Sequence, residues 1–466
     1  MAKDDDKKKK KAAKAESKAK ADKLKSGKGK AAKAKDKGKG KAKAKDAAPA
    51  AKAAKAVSPL APAAFPDLPV IAGVEFASAA AGVKYKGRTD VTLIRIAPGA
   101  SVAGVFTRSS TRAACVLDNQ AKLRGKQDST AGAAIIVNSG NANAFTGARG
   151  QESVDAVTGA VAKALKIPAQ RVFSSSTGVI GEPLPHEQIV AVIGDLAKGL
   201  KAQGAADAAK AIMTTDTFPK GAATRIEADG GPIQIAGIAK GSGMVAPDMA
   251  TMLVYIFTDA AIAPDLLQKI LSRQVDDTFN AITVDSDTST SDALILAATG
   301  QSRAAPITDL RSKAAREFAA ALNGVMLDLA KQVVRDGEGA TKFVQVDVTG
   351  AASADDANRV AMAIANSPLV KTAIAGQDAN WGRIVMAVGK SGAKADRDKL
   401  TIRFGDMVLA ENGWRAPTYD EAAASDYMKR QELVIAVDLG MGQARRTVWT
   451  CDLTHGYIDI NADYRS

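Results

Sequence analysis

Apolar and polar positions alternate along most of the chain in two periods. Val70 opens the regular pattern, with VIAGVEFASAAAG and then VTLIRIA over 91–97, and the folded body is expected to start near there. Ala133–Val137 predicts a short apolar strand running into a polar, Gly-rich loop. QESVDAVTGAVAKALKI over 151–167 has helical spacing, and RVFSSSTGVIG over 171–181 predicts a strand followed by a Ser/Gly loop. HEQIVAVIGDLAKGLKAQG predicts a second helix, and AADAAKAIMTTDTFPK a short helix leading into a strand. Further on, TMLVYIFTDAA reads as a strand and PDLLQKILSRQVDDTFNAI as an amphipathic helix. DALILAATG is too short to separate buried strand from helix. KAAREFAAALNGVMLDLAKQVVRD predicts a long helix, KFVQVDVTGA a strand, SADDANRVAMAIANSPLVKTAIAG one further helix, and ELVIAVDLGMGQARRTVWTCDL a hairpin. The alternation predicts an α/β (α+β) body with functional loops at strand ends.

Before Val70 the pattern stops. Residues 1–56 are Lys/Ala-rich, with almost no apolar side chain larger than Ala apart from Leu24. Such a segment buries too little surface to offset the entropy of ordering, so residues 1–57 are expected to be disordered. A Pro-rich linker, SPLAPAAFPDLP, follows. The tail also accounts for the charge. It holds 22 Lys and 7 acidic residues, whereas the remaining chain carries 42 basic and 43 acidic residues. A near-neutral body makes no electrostatic case for a nucleic-acid groove. The tail itself reads either as a loose, salt-sensitive arm for acidic polymers or as a solubilising extension, and the second reading is favoured.

The 466 residues suffice for roughly two to four domains. The composition is 46% hydrophobic but only 4% aromatic, so Ala, Val, Ile and Leu must fill the core. Two distant cysteines, Cys115 and Cys451, fit a reducing cytosol better than a disulfide framework. No apolar run approaches the ~20 residues of a membrane span, and the N-terminus has no apolar signal region. A cytoplasmic protein is expected.

The usual catalytic sets are hard to find. The two histidines, His186 and His455, neighbour no nucleophile motif and read as structural. There is no P-loop, no zinc spacing, and the Gly runs at 241–243 and 438–442 lack a strand–turn–helix context. What remains is a set of small polar loops: NSGNANAFTG, SSSTGVIG, MTTDTFPK, KGSGMVAPDMAT, DSDTSTSD, DGEGATK, GQDANWGR and DINADYRS. They suit a compact substrate with carboxylate and amine ends. Each taken alone is more simply a turn. In GIAKGSGMVAPDMATMLVYI a Gly-rich loop delivers Ala250-Thr251 directly to an apolar strand. A threonine hydroxyl becomes a useful nucleophile when its own α-amine serves as base, which requires a chain cut just before it.

KGSGMVAPDMATML, NSGNANAFTG, STGVIG, MTTDTFPK, DGEGATK and the terminal INADYRS together resemble the ornithine acetyltransferase (glutamate N-acetyltransferase) family of arginine biosynthesis, over roughly residues 58–466. DSDTSTSD departs slightly from a family pattern closer to DGDTSTND. The resemblance implies a sandwich of the kind shared with self-cleaving aminopeptidases. It implies cleavage between Ala250 and Thr251 into an α chain (58–250) and a β chain (251–466), two of each in the assembly. It further implies that Thr251 takes acetyl from N-acetylornithine and passes it to glutamate in a ping-pong cycle. Thr177 and Gly178 would form the oxyanion hole. Lys240, Glu338, Asn461 and Ser466 would lie at the substrate. One threonine of MTTDT would join them: Thr214 is chosen, with Thr215 and Thr217 as close competitors. No cofactor is implied, and acetyl-CoA stays open as a second acetyl donor. The competing readings are a self-cleaving threonine amidohydrolase or aminopeptidase, which would pass the acyl group to water, and a nucleic-acid-associated protein named by its tail. Asp287, Asn380 and Trp381 receive no role.

Overall fold

The computed structural model describes residues 56–125, 128, 130–246 and 252–462. The expected disorder of the tail, and the calls on Ala250, Thr251 and Ser466, fall outside these residues, apart from 56–57. Three sheets build the body. In the first, β1 (Val74–Ala79), β2 (Val91–Ile96), β4 (Ala133–Asn141) and β5 (Val172–Val179) lie in the order β1-β2-β4-β5. In the second, the order is β3-β9-β8-β7-β6, from β3 (Ser101–Phe106), β9 (Ala293–Ala298), β8 (Leu253–Thr258), β7 (Gly231–Lys240) and β6 (Lys220–Ala228).

Strand periodicity explains how these two sheets stack. In β8, Leu253, Tyr255 and Phe257 face one apolar cluster and Val254 and Ile256 another. The first cluster is the sandwich interior, where the β8 side chains meet Phe76, Ile94, Ile135, Val137 and Phe173 of the first sheet. Phe76 and Phe257 meet edge to face at 5.5 Å between ring centres, a geometry worth roughly 0.5–1.5 kcal/mol beyond the area it buries. Helices cover both outer faces. Val157 and Val161 of α2 (Gly147–Leu165) and Ile189, Ile193 and Leu196 of α3 (His186–Lys198) pack on Leu93, Ile136 and Val172. On the far side, α5 (Pro264–Gln274) and α6 (Lys313–Arg335) cover Val254, Ile256, Leu294 and Leu296. The expected sandwich is therefore present as helix, sheet, sheet and helix layers, completed by α1 (Ala114–Arg124) and α4 (Ala205–Ala211).

The outer cluster continues into a third sheet, ordered β13-β12-β11-β14-β10-β15. Its strands are β10 (Phe343–Ala351), β11 (Thr401–Phe404), β12 (Met407–Glu411), β13 (Trp414–Arg415), β14 (Glu432–Asp438) and β15 (Ala444–Cys451). The helices α7 (Ala354–Ala365), α8 (Pro368–Ala375), α9 (Trp381–Lys390), α10 (Glu421–Tyr427) and α11 (His455–Asn461) complete the chain. Cys115 and Cys451 are both free and buried. Among the described residues no helix is long and apolar enough to cross a membrane.

Four expectations need correction, and one open reading is decided. β14 and β15 do not form a hairpin: β10 lies between them, parallel to β14 and antiparallel to β15. A short turn licenses a hairpin but does not exclude a third strand. The helix expected after β10 is two helices, because Pro368 has no N–H to continue α7 and Ser367 caps α8 instead. β4 and β5 run through their Ser/Asn/Gly segments, which pair with one another and link side chains, as in Ser176 Oγ to Asn138 Oδ1 at 2.7 Å. DALILAATG resolves as strand β9, with all six strand residues buried. The Pro-rich linker belongs to the folded body. Ser58 N–H donates to Thr217 Oγ1 (2.9 Å), Ser58 Oγ to the Arg335 carbonyl (2.6 Å), and Leu60 is buried.

Candidate active site

The ends of β5 and β7 come from different sheets and meet where the sandwich opens. Lys240, the last residue of β7, is 2% exposed and donates from Nζ to Thr177 Oγ1 at 3.2 Å. Thr177 and Gly178 lie near the end of β5, just before Val179. Gly178 has φ +134°, and a Cβ there would lie 2.3 Å from the Gly140 carbonyl carbon, so the pairing of Gly140 with Gly178 admits no side chain. Beside them is an open-mouthed cavity of about 270 Å³. Thr177, Gly178, Thr214, Lys240, Glu338 and Asn461 all line it.

The cavity's opposite wall comes from the turn after α6 and from α11. Glu338 is anchored through its amide to the Ser242 carbonyl (2.9 Å), and its Oε2 accepts from Asn461 Nδ2 at 2.7 Å. Gly243 lies flat against this carboxylate. A Cβ on it would sit 2.3 Å from Glu338 Cδ. Met244 follows with a left-handed φ of +56°, and its amide is held by Asp285 Oδ2 at 2.6 Å. Asp285 also accepts from the Val245 amide (2.8 Å) and from the Tyr457 hydroxyl (3.3 Å). Burial raises the Asp285 carboxyl above its usual range, although the amides of Met244, Val245 and Asp287 pull it down.

Two buried carboxylates frame Lys240. Asp216 accepts from Gly241 N–H (Oδ1, 2.7 Å) and Thr214 N–H (Oδ2, 2.9 Å). Burial alone would push Asp216 up, but the Lys220 and Lys240 ammonium groups hold it well below the ordinary carboxylate range. Asp292 is buried and accepts from the Met252 amide through Oδ1 (2.8 Å). Desolvation raises its carboxyl well above the usual value. For Lys240 burial is the largest influence and lowers its pKa; the Lys220 charge adds to this, and Asp216, Asp292 and Glu338 oppose it.

The structure thus brings together six of the expected site residues. It also sorts the threonines of MTTDT. Thr214 and Thr215 line the cavity, while Thr217 turns away to Asp336, donating from both N–H and Oγ1. Asp287, Asn380 and Trp381 are not among the lining residues. His186 Nδ1 instead meets Ser153 Oγ at 3.0 Å, and His455 begins α11. Sequence reasoning missed Ser289, Thr290 and Ser291 as wall residues. Their loop was visible as DSDTSTSD, but nothing in its composition says which members face the cavity.

Comparison with known proteins adds to this geometry. Residues 75–466 match the ArgJ family model. The arginine biosynthesis bifunctional protein ArgJ of Ruegeria pomeroyi is 66% identical over 410 residues, covering 88% of this chain and 98% of the relative. Its namesake in Brucella suis is 54% identical over 414 residues, covering 88% and 99%. The crystal structure of the Bacillus halodurans protein of that name aligns at 42% identity with a TM-score of 0.43, over 44% of this chain and 96% of that one. A match of that extent, beside relatives aligned along nearly their whole length, places the chain in a family: it belongs to the ArgJ family.

Proposed function

We propose that the chain cuts itself between Ala250 and Thr251 and then carries the acetyl group of N-acetylornithine to glutamate as an ester on Thr251. Family membership makes it an acyltransferase of arginine biosynthesis. The observation that carries the finer reading is the meeting of Thr177, Gly178, Thr214, Lys240, Glu338 and Asn461, from five separate stretches, on one cavity. Lys240 is paired with Leu253 across β7 and β8. Thr251 stands between these two residues in sequence, which supports its assignment as the nucleophile of this cavity.

In turnover, Thr251 Oγ adds to the acetyl carbonyl and gives its proton to the freed α-amine, whose ordinary pKa of about 7.7–8.0 suits a base near neutrality. Thr177 and Gly178 hold the oxyanion. The C–N bond breaks, the proton passes to the departing nitrogen, and ornithine leaves. The glutamate amine then attacks the ester, and Thr251 recovers its hydrogen. In maturation Thr251 Oγ attacks the Ala250 carbonyl, the Ala250–Thr251 C–N bond breaks as the hydroxyl proton passes to the nitrogen that becomes the α-amine, and water then hydrolyses the Ala250 ester. Lys240 supplies positive charge beside Thr177, and Glu338 pairs with the substrate amine or relays protons. Asn461, Thr214 and Ser466 complete the substrate contacts. Residues 58–250 and 251–466 become α and β chains, two of each in the assembly. Acetyl-CoA is a second candidate donor for the same ester.

Intact mass and N-terminal sequencing test the reading directly. Two fragments are expected, the smaller starting Thr-Met-Leu, and Thr251→Ala should lose both cleavage and transfer. An active, uncleaved full-length protein would sink the mechanism. With N-acetylornithine as donor, transfer to glutamate is expected to exceed acetate release, and the reverse would make the protein a hydrolase.

A further inference from the structure

Behind the cavity lies a buried ion cluster that none of the proposed steps uses. Lys220, the first residue of β6, is fully buried. Its Nζ donates to Asp216 Oδ1 (2.7 Å), Asp336 Oδ2 (2.5 Å) and the Phe218 carbonyl (3.3 Å). These use all three ammonium donors. Both carboxylates are 0% exposed. None of the three residues lines the cavity.

Each carboxylate holds a different part of the cavity wall. Asp216 fixes the amides of Thr214 and Gly241, and so places a wall threonine and the residue next to Lys240. Asp336 accepts from Thr217 N–H and Oγ1, and begins the turn that carries Glu338. Ion clusters of this kind are expensive to desolvate, and well-packed apolar residues usually stabilise a core as well or better. The cluster is therefore poorly explained as a source of stability. What it does is tie three sequence-distant segments to one cation.

We propose that Lys220, with Asp216 and Asp336, is a positioning unit for the acetyl-transfer site: it sets Thr214 and Glu338 for substrate and sets the charge environment of Lys240. The inference rests on the acetyl-transfer reading above. Lys240 faces Asp216 and Lys220 from the β6 side, Asp292 from the β9 side, Glu338 from the turn after α6, and the Thr177 hydroxyl from β5. Asp216 favours its charged form and bonds the Gly241 amide next to it, whereas Asp336 bonds Lys220 and Thr217. Removing one negative charge at Asp216 or at Asp336 should therefore have different consequences.

The test compares Asp216→Asn, Asp336→Asn and Lys220→Met in the full, matured protein. Transfer from N-acetylornithine to glutamate is measured across pH. Both Asp variants should raise KM for N-acetylornithine by about tenfold, within the ~10²-fold that a small misplacement at a site can cause. Only Asp216→Asn should also move the alkaline limb of the kcat profile to lower pH, because Lys240 then loses its proton more easily. Lys220→Met should match or exceed the KM effect. If it does not fold, the two Asp variants still decide. Wild-type KM in both, or the same limb shift in both, would overturn the proposal. The wild-type assay separates the two readings. If the wild type transfers no acetyl group, the proposed function fails; if it does and the variants behave as wild type, only the positioning role fails.

Discussion

Lys220 and Lys240 stand side by side at the open end of the β6–β7 hairpin, where Lys220 pairs with Ala239. Both are buried, yet the protein makes different ions of them. For Lys220 the burial penalty is overridden by two carboxylates within hydrogen-bonding distance, and its pKa rises above the ordinary lysine value. For Lys240 the only hydrogen bond among the described residues is to a hydroxyl, and its pKa falls. Depth therefore does not decide what a buried lysine is for; the count of directly bonded carboxylates does. One lysine is a fixed cation that organises backbone. The other is a more readily deprotonated donor at the cavity wall.

The strongest way to break that contrast is Lys220→Met. It leaves Asp216 and Asp336 facing each other with no cation. Removing one partner of a buried ion cluster costs about 3–5 kcal/mol. Denaturant unfolding of the matured protein should register that loss. Its pH dependence has a definite sign. A raised Lys220 stabilises fully below about 10.5 and loses that contribution as pH rises through its folded value. A depressed Asp216 stabilises above about 3.8 and loses it as pH falls through its folded value. In Lys220→Met the two buried carboxylates lose that cation and burial drives both upward, as it already does for Asp336, so the loss should be smallest in acid and grow as pH rises above about 3.8.

Lys240→Met should invert the pattern, with function suffering more than stability. Loss of one donor at an oxyanion site costs about 10²–10³ in kcat, and that is the scale expected. Stability should hold or improve, because a desolvated, weakly partnered ammonium is removed. Here the sign is opposite to that of Lys220. With the folded pKa below the unfolded one, the unfolded chain binds the extra proton between the two values. Wild-type stability should therefore rise with pH up to about 10.5, and Lys240→Met should flatten the rise. A variant that unfolds readily while keeping its kcat would erase the distinction between the two lysines.

Only one of these lysines was legible in the sequence as a site residue. Lys240 stands in KGSGMVAPDMATML, a motif long enough to assign. Lys220 and Asp216 sit four residues apart in MTTDTFPK, a spacing with no helix around it to give it meaning, and Asp336 stands 116 residues further on at the head of DGEGATK, where no local pattern links it to Lys220. The same limit governs the fold. Helical periodicity marked α2, α3, α5 and α6, because each buries one face. β11, β12 and β13 are short, and β13 is exposed, so they give no apolar pattern. The insertion of β10 between β14 and β15 is long-range pairing, invisible to any window on the 432–451 stretch. Gly178 and Gly243 were visible as glycines, but the backbone and carboxylate that crowd them were not.

The smallest expected effect concerns the 22 lysines of the first 56 residues, which account for the chain's net positive charge. Deleting 1–55 should leave kcat/KM within about threefold, on the scale of the ~0.5 kcal/mol found for changes away from packed features. The boundary is what makes this informative. Ser58 donates to Thr217, which donates to Asp336, the carboxylate on Lys220. Cutting five residues further in, 1–60, removes that donor and the buried Leu60. If Lys220 owes its fixed geometry to its partners, the longer deletion should raise KM and lower stability while the shorter one does neither. Equal behaviour of the two truncations would mean that the cluster holds its shape without the strap, and that its order comes from Lys220 and the two carboxylates alone.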